Sequence, residues 1–322
     1  MIKRVLVTGA TGFVGGTLCG QLAEAGFTVR AALRTEKNTP KAVSERVVVG
    51  DIGSRTDWQS ALEGVDFVVH AAARAHVLND SPANANLYME SNAHGTVRLA
   101  DAAAAAGVQR LVFLSSVKVN GEDSGDGVYR PDDRPQPLDA YGRSKAKAEE
   151  GLREVCARTR LQGAIIRSPL VYGPGVRANF LRLLQWVDKR RPLPIGSVRN
   201  RRSMVSVWNL SHLLTHALSH PAAADGVWMV SDGQDVSTPE LVRRLADAMG
   251  RRMTLLPVPV ALLRIAGTLL GKGAEVKRLC GSLAVDASAT RNQLGWTPAL
   301  SLEEGLQRTV QWYLAEQGVH AG

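Results

Sequence analysis

Short β-branched runs alternate with stretches of helical spacing along the first half of the chain. Val5–Val7, Val29–Leu33, Val47–Val49, Phe67–His70, Leu111–Leu114 and Ala164–Arg167 read as strands. Between them Phe13–Ala25, Asp57–Leu62, Asn86–Ala106 and Asp139–Arg158 read as helices. Strand–helix alternation implies right-handed crossovers and a parallel sheet covered on both faces, an α/β fold of the doubly wound kind. The run Ala102–Ala106 ends at Gly107, so it is a strong helix former closed by a glycine C-cap rather than a disordered tract.

Beyond Arg167 the pattern loosens. A glycine–proline turn, a short helix over Asn179–Val187 and a basic loop precede strand-like runs at Met204–Val207 and Val227–Val230. The segment from Thr238 to Gln317 is mostly helical. The expected organisation is a nucleotide domain over residues 1–170, rejoined by strands near 204–231. A smaller, mostly helical C-terminal lobe over 171–203 and 232–322 would hold the substrate. Leu255–Leu270 is unusually apolar but carries Arg264 and two prolines and is too short to span a bilayer. It reads as a buried helix of that lobe, with contact to a membrane surface or a partner protein as the alternative.

Composition changes the picture little. The 322 residues are 45% hydrophobic and 21% charged, as in an ordinary soluble globular protein. The net charge of +9 is carried by scattered residues apart from Arg199, Arg201, Arg202 and the run Lys189-Arg190-Arg191. Aromatic and basic residues do not interleave, which argues against nucleic acid and for an anionic small molecule. Cys19, Cys156 and Cys280 are odd in number and far apart, giving neither a disulfide framework nor a metal site. With a strand beginning at Ile2-Lys3-Arg4-Val5 and no signal peptide expected, the reading is cytoplasmic, with no integral membrane segment.

Two features carry chemistry. Thr8-Gly9-Ala10-Thr11-Gly12-Phe13-Val14-Gly15 follows the first strand and opens a helix, the arrangement that receives a dinucleotide pyrophosphate. Gly9 permits the tight turn, Gly12 the approach of backbone amides, and Gly15 close packing of helix on sheet. Far downstream, Tyr141 and Lys145 stand four apart, on one face of a helix, where a lysine ammonium favours the phenolate of an acid–base tyrosine. Two residues address the adenosine end. The acidic residue that bonds a ribose 2′-hydroxyl is replaced by Leu33, followed by Arg34, so NADP(H) is expected over NAD(H). Asp51 is placed to bond the adenine amine. Ser115 and Ser116 end the fifth strand, where one hydroxyl can polarise a substrate carbonyl.

Taken together, these motifs resemble the short-chain dehydrogenase/reductase superfamily, in particular its extended branch, the NAD(P)-dependent epimerase/dehydratase family, built on a Rossmann domain. The resemblance also rests on Asp51-Ile52, His70-Ala71-Ala72-Ala73, Asn92-Ala93-His94-Gly95-Thr96 and Arg167–Gly175. Leu294-Gly295-Trp296-Thr297-Pro298 extends it toward the C-terminus. It implies Ser116 as the carbonyl-polarising serine, Tyr141 as acid–base and Lys145 as holder of the nicotinamide ribose. It further implies cofactor contacts from Gly9, Thr11, Gly12, Phe13, Val14, Gly15, Arg34, Asp51, Ile52, Ala71, Ala72, Ala73, Asn92 and Ser168. Asn179 and Arg202 match residues that grip the substrate diphosphate, and Lys118, beside Asn120, adds a cation on the substrate side. Asn120 departs from the family's usual tyrosine. A homodimer through helices 86–106 and 139–158 is the expectation for this family.

The run Ser115–Glu122 and the basic loop at Arg199–Arg202 resemble those of bacterial reductases of UDP-4-keto-6-deoxy-N-acetylglucosamine, which serve surface polysaccharide synthesis. The implied reaction is NAD(P)H-dependent reduction of a 4-keto nucleotide sugar. A UDP-hexose 4-epimerase with retained NAD is the alternative. A reductase of uncharged steroid-like ketones fits the basic loop poorly, and a dinucleotide-sensing binding protein does not need an intact Ser116, Tyr141 and Lys145.

Overall fold

Nine strands form between residues 4 and 229 of the computed structural model, which describes residues 2–36, 39–75 and 82–320. They are β1 (Arg4–Thr8), β2 (Thr28–Leu33), β3 (Glu45–Val48), β4 (Phe67–His70), β5 (Arg110–Ser116), β6 (Gln162–Ser168), β7 (Leu170–Tyr172), β8 (Met204–Ser206) and β9 (Gly226–Met229). Seven of them make one sheet in the order β3-β2-β1-β4-β5-β6-β9, with every pairing parallel. The order reverses between β1 and β4, so their carboxyl ends frame the crevice where an α/β sheet takes its ligand.

Helices cover both faces because successive strand residues point to opposite sides. Val5 and Val7 join one core with α1 (Phe13–Glu24) through Leu18 and Leu22; Leu6 joins the other. The second core is closed by α2 (Gln59–Leu62), α4 (Gly95–Ala105) and α5 (Ala140–Arg158), through residues such as Leu99, Ala103, Leu152 and Val155, while α3 (Pro82–Tyr88) packs against α5. The remaining helices are α6 (Ala178–Asp188), α7 (Val207–Ser219), α8 (Thr238–Ala248), α9 (Val260–Leu269), α10 (Gly273–Cys280), α11 (Ser288–Leu294) and α12 (Leu302–His320). The lobe has its own core, from Tyr172 and Phe180 through Leu241 and Leu245 to Leu306 and Tyr313.

The doubly wound sheet and the mostly helical lobe agree with the sequence pattern, and four local features differ. The stretch 86–106 is not one helix: a π-helical turn, Met89–His94, separates α3 from α4. Only β9 returns to the large sheet, whereas β8 pairs with β7 in a separate two-stranded sheet. Helix α7, capped by the Ser206 side chain and lying against α1, occupies a segment in which no helix was foreseen. Finally, the apolar stretch 255–270 is not a buried helix: Leu262, Ile265, Leu269 and Leu270 are exposed. Because α9 is apolar on both faces, the pattern alone could not tell which face would be covered.

Candidate active site

The glycine loop is a cradle built by close approach. Gly9 has φ +73, and a Cβ there would lie 2.8 Å from the backbone nitrogen of Ala72. A Cβ on Gly15 would lie 2.0 Å from the Gly9 carbonyl oxygen, so α1 can begin against the loop only with glycine at that position. Gly12 is the N-cap of α1 and offers no side-chain cap, and the first turn carries no acidic residue. The free amides at this helix start and its positive dipole end suit a pyrophosphate. These residues fit a dinucleotide. A Cβ on Gly175, in the turn after β7, would lie 3.7 Å from the Phe13 ring, so that turn runs beside the start of the cradle.

A hydrogen-bonded chain fixes the floor. Thr8 accepts from the Ala72 amide at 3.1 Å and lies 2.7 Å from Nδ1 of His70. Nε2 of His70 lies 3.0 Å from Thr96, whose hydroxyl donates to the Asn92 carbonyl. With Thr8 donating, His70 is neutral and carries its proton on Nε2; burial, with the Lys145 charge, lowers its pKa to about 3. The chain ties the backbone of Ala71–Ala73 to β1 and to the π-helical turn.

α5 brings the acid–base pair to the same edge. Asp139 caps it by accepting from the Gly142 amide at 2.6 Å, which sets the helix start beside the turn Val117–Val119. A Cβ on Gly142 would lie 2.7 Å from the Lys118 carbonyl, so that turn rests directly on the helix. Ser116 caps the turn through Oγ, accepting from the Lys118 amide at 3.2 Å, and its hydroxyl proton stays available. Ser115 points the other way and donates to the buried Glu149 at 2.6 Å. Ser116 is therefore the serine able to meet a substrate. Lys145 is buried with Nζ 4.1 Å above the Phe113 ring, and desolvation, opposed by Glu149, brings its pKa down to about 7. Tyr141 is half-buried as a residue, yet burial of its hydroxyl, with Asp139 and Tyr88, pushes the phenol above its usual value. The expected lowering by Lys145 is not realised in this state, because burial of the phenol dominates and the lysine is itself desolvated.

A model of the NAD dependent epimerase/dehydratase family matches residues 5–230. The chain belongs to this family. It is 44% identical, over 98% of its length and 96% of the relative's, to a "UDP-glucose 4-epimerase" of Vibrio cholerae. It is 29% identical to the N-acetyl-alpha-D-glucosaminyl-diphospho-ditrans,octacis-undecaprenol 4-epimerase of Escherichia coli O157:H7, across 97% of this chain and 96% of that one. Among solved structures, MoeE5 in complex with UDP-glucose and NAD superimposes with a TM-score of 0.77 at 29% identity, covering 98% of this chain and 99% of MoeE5.

Within this family frame, several residues take positions that spacing did not reveal. The Asn92 amide makes three hydrogen bonds: it accepts from the Arg74 amide and donates to the Arg74 carbonyl and to Ser144 between Tyr141 and Lys145. These bonds clasp the loop after β4 to α5, and both amide hydrogens of Asn92 are spent on them. Lys118 is held by Asp139 and by Glu122 at 3.1 Å. Burial opposes its charge, but these two carboxylates outweigh it and raise its pKa. It steadies the start of α5 rather than standing free for a substrate. Asn120 is buried between the Arg130 carbonyl and Arg167.

At the carboxyl ends of β2 and β3, where the sequence leads us to expect the adenosine, Arg34 and Asp51 lie 3.7 Å apart, both largely exposed, while Leu33 is buried. Ile52 lies against Gly95 at the start of α4, and Ser168 donates across the strands to the Ser115 carbonyl. Thr11 and Val14 stand in the loop and the first turn it opens. Asn179 is exposed in the first turn of α6. Arg202 is half-buried, with Nη1 donating to the carbonyls of Arg278 and Gly281 at 2.8 and 3.1 Å. The Cys19 thiol is pushed up to about 12 by burial, and all three cysteines are free. Among the described residues no cluster of side chains is suited to a metal ion.

Glu149 was not singled out by spacing. It is buried, takes two bonds from Arg167 at 2.9 and 2.7 Å, one from Ser115 and one from Arg153. The signal was present: Tyr141, Lys145 and Glu149 follow at intervals of four along one helical face.

The lowered Lys145 pKa has a measurable consequence. An unfolded lysine titrates near 10.5 and the native one at about 7, so the unfolded chain holds the extra proton between those values. Below pH 7 the native state bears the full penalty of a buried charge, and this is relieved as pH rises through the window. Lys145→Met is expected to flatten the rise of unfolding free energy between pH 7 and 10, measured by urea titration. An unchanged slope would disprove the assignment.

Proposed function

We propose that the protein transfers hydride at C4 of a UDP-linked sugar, and that its net reaction is reduction of a 4-keto sugar such as UDP-4-keto-6-deoxy-N-acetylglucosamine. The observation that carries this reading is the arrangement of Ser116 and the tyrosine–lysine face of α5 beside the glycine cradle. When bound, the dinucleotide supplies the hydride at the ring carbonyl carbon. Gly9, Gly12, Gly15 and the start of α1 hold its pyrophosphate, Asp51 and Ile52 its adenine, and Lys145 its nicotinamide ribose. Ser116 donates a hydrogen bond to the C4 oxygen, polarising the ketone and stabilising the oxyanion. Tyr141 delivers a proton to the same oxygen. A phenol kept protonated by burial starts in the state a reduction requires. Arg202 and Asn179 grip the substrate diphosphate, for which a guanidinium fork is suited.

The second reading, a UDP-hexose 4-epimerase retaining NAD, draws support from the name of the Vibrio cholerae relative and from NAD in the MoeE5 complex. The two readings separate in one assay. A reductase oxidises NADPH when given a 4-keto UDP-sugar and leaves UDP-glucose and UDP-N-acetylglucosamine unchanged. Epimer formation from either of those, without added cofactor, would overturn the reductase reading.

The preference for NADP(H) rests on Arg34 and on the absence of an acid at Leu33. Arg34→Ala is expected to raise KM for NADPH by about tenfold and to affect NADH far less, because only one of them carries the 2′-phosphate. Equal effects on both cofactors in steady-state kinetics would remove Arg34 from the assignment. A homodimer across α4 and α5 completes the reading. Sedimentation velocity tests it.

A further inference from the structure

Helix α9 is apolar on two faces. Leu263 and Val260 turn inward onto the lobe core, and Gly267 lets α10 approach so closely that a Cβ there would lie 2.6 Å from Val276. The outer stripe holds Leu262, Ile265 and Leu269, spaced three and four apart and 56%, 58% and 82% exposed. Leu270 follows at 73%, and Leu256 precedes at 45%. Of the eleven large apolar side chains exposed among the described residues, these five lie between positions 256 and 270. A cluster of this kind on a soluble surface marks a docking face.

The charges around it name the occupant. Arg264 shares a shallow hollow with Ile265, Thr268 and Leu269. Lys272, Lys277 and Arg278 are exposed on the following helix and its approach. Between Arg251 and Gly281 the one acid is Glu275, and Arg182 faces it at 4.0 Å. The basic run Lys189–Arg191 just precedes Leu193, which bonds to Thr254 at the foot of the same segment. An apolar stripe within a basic border suits a surface that is apolar beneath and anionic on top.

We propose that the protein docks peripherally, through α9 and its basic border, on an anionic lipid bilayer. The helix has ten residues and lies along the interface; no described helix is long and apolar enough to cross a membrane. A second copy of the chain is a poor occupant, because a two-fold contact would set one basic border against the other in a protein of net charge +9. The face adjoins the proposed diphosphate grip, since α10 and its C-cap Gly281 supply the carbonyls that hold Arg202, and that grip marks the opening for substrate. Docking would therefore set that opening beside the membrane surface.

The test is co-sedimentation of the full chain with vesicles of phosphatidylglycerol mixed with phosphatidylcholine, and with phosphatidylcholine alone. Binding is expected to the mixed vesicles only. The triple variant L262S/I265S/L269S, which removes no charge, is expected to bind the mixed vesicles at least about tenfold more weakly, with unchanged circular dichroism. Arg264→Gln with Lys272→Gln is expected to weaken binding and to flatten its dependence on salt. Three results would overturn the proposal. The wild-type chain fails to pellet with mixed vesicles; the triple variant binds like wild type, which makes the attraction one of overall charge; or sedimentation velocity shows self-association that the triple substitution abolishes, without vesicle binding.

Discussion

Tyr141→Phe is expected to lower kcat by about 10²–10⁴-fold while leaving dinucleotide affinity within about twofold, because it removes one proton donor and no binding surface. The ring stays in place: it packs edge-on against Tyr88 with centroids 6.1 Å apart, and the phenylalanine ring has the same outline. Lys145, the residue proposed to hold the ribose, stays on the same face of α5. The measurement is a pair of experiments on one preparation: NADPH binding by fluorescence and single-turnover reduction of a 4-keto UDP-sugar. Retained turnover would exclude Tyr141 as the proton donor. Loss of both binding and turnover would mean that the hydroxyl organises the site instead.

A second large effect is expected at Glu149→Ala. The carboxylate is the hub of a buried network, receiving Arg167 at two oxygens, Ser115 at 2.6 Å and Arg153 at 2.9 Å. Removing it leaves the buried Arg167 guanidinium without its counter-charge, a change that destabilises by about 3–5 kcal/mol. Urea unfolding measures the loss. The conservative Glu149→Gln keeps the volume and some of the hydrogen bonds, so it should fall between the two. Since Glu149 raises the Lys145 pKa, both variants should move the lysine further toward its neutral form near pH 7. A wild-type unfolding midpoint in Glu149→Ala would show that water or rearrangement compensates Arg167, and the network would lose its assigned weight.

Both residues lie on the helix that spacing identified, yet only Tyr141 was legible as chemistry. A tyrosine and a lysine four apart announce a shared face, whereas Glu149 becomes meaningful only when β6 brings Arg167 beside it. The same contrast runs through the site. The glycine spacing announced the cradle because turn geometry and helix starts are local matters. Asn92 and Lys118 were read as ligand contacts from their place in motifs, and tertiary neighbours instead engage them with Arg74, Ser144, Asp139 and Glu122. A side chain's partner depends on what folds against it, and that information is spread over distant segments.

What the chain's order of residues decided by itself was the parallel sheet, the glycine cradle, the tyrosine–lysine face and the family they belong to. Each depends on periodicity or on backbone preferences acting over a few residues. The tertiary structure supplied the physical reason for Ser116 over Ser115, since pleating sends Ser115 to Glu149 and leaves the Ser116 hydroxyl proton at the crevice. It alone decided that β8 leaves the large sheet for β7, and that one face of α9 stays uncovered. Burial is a property of the whole packed molecule, and a helix apolar on two faces carries no record of which one its neighbours will cover.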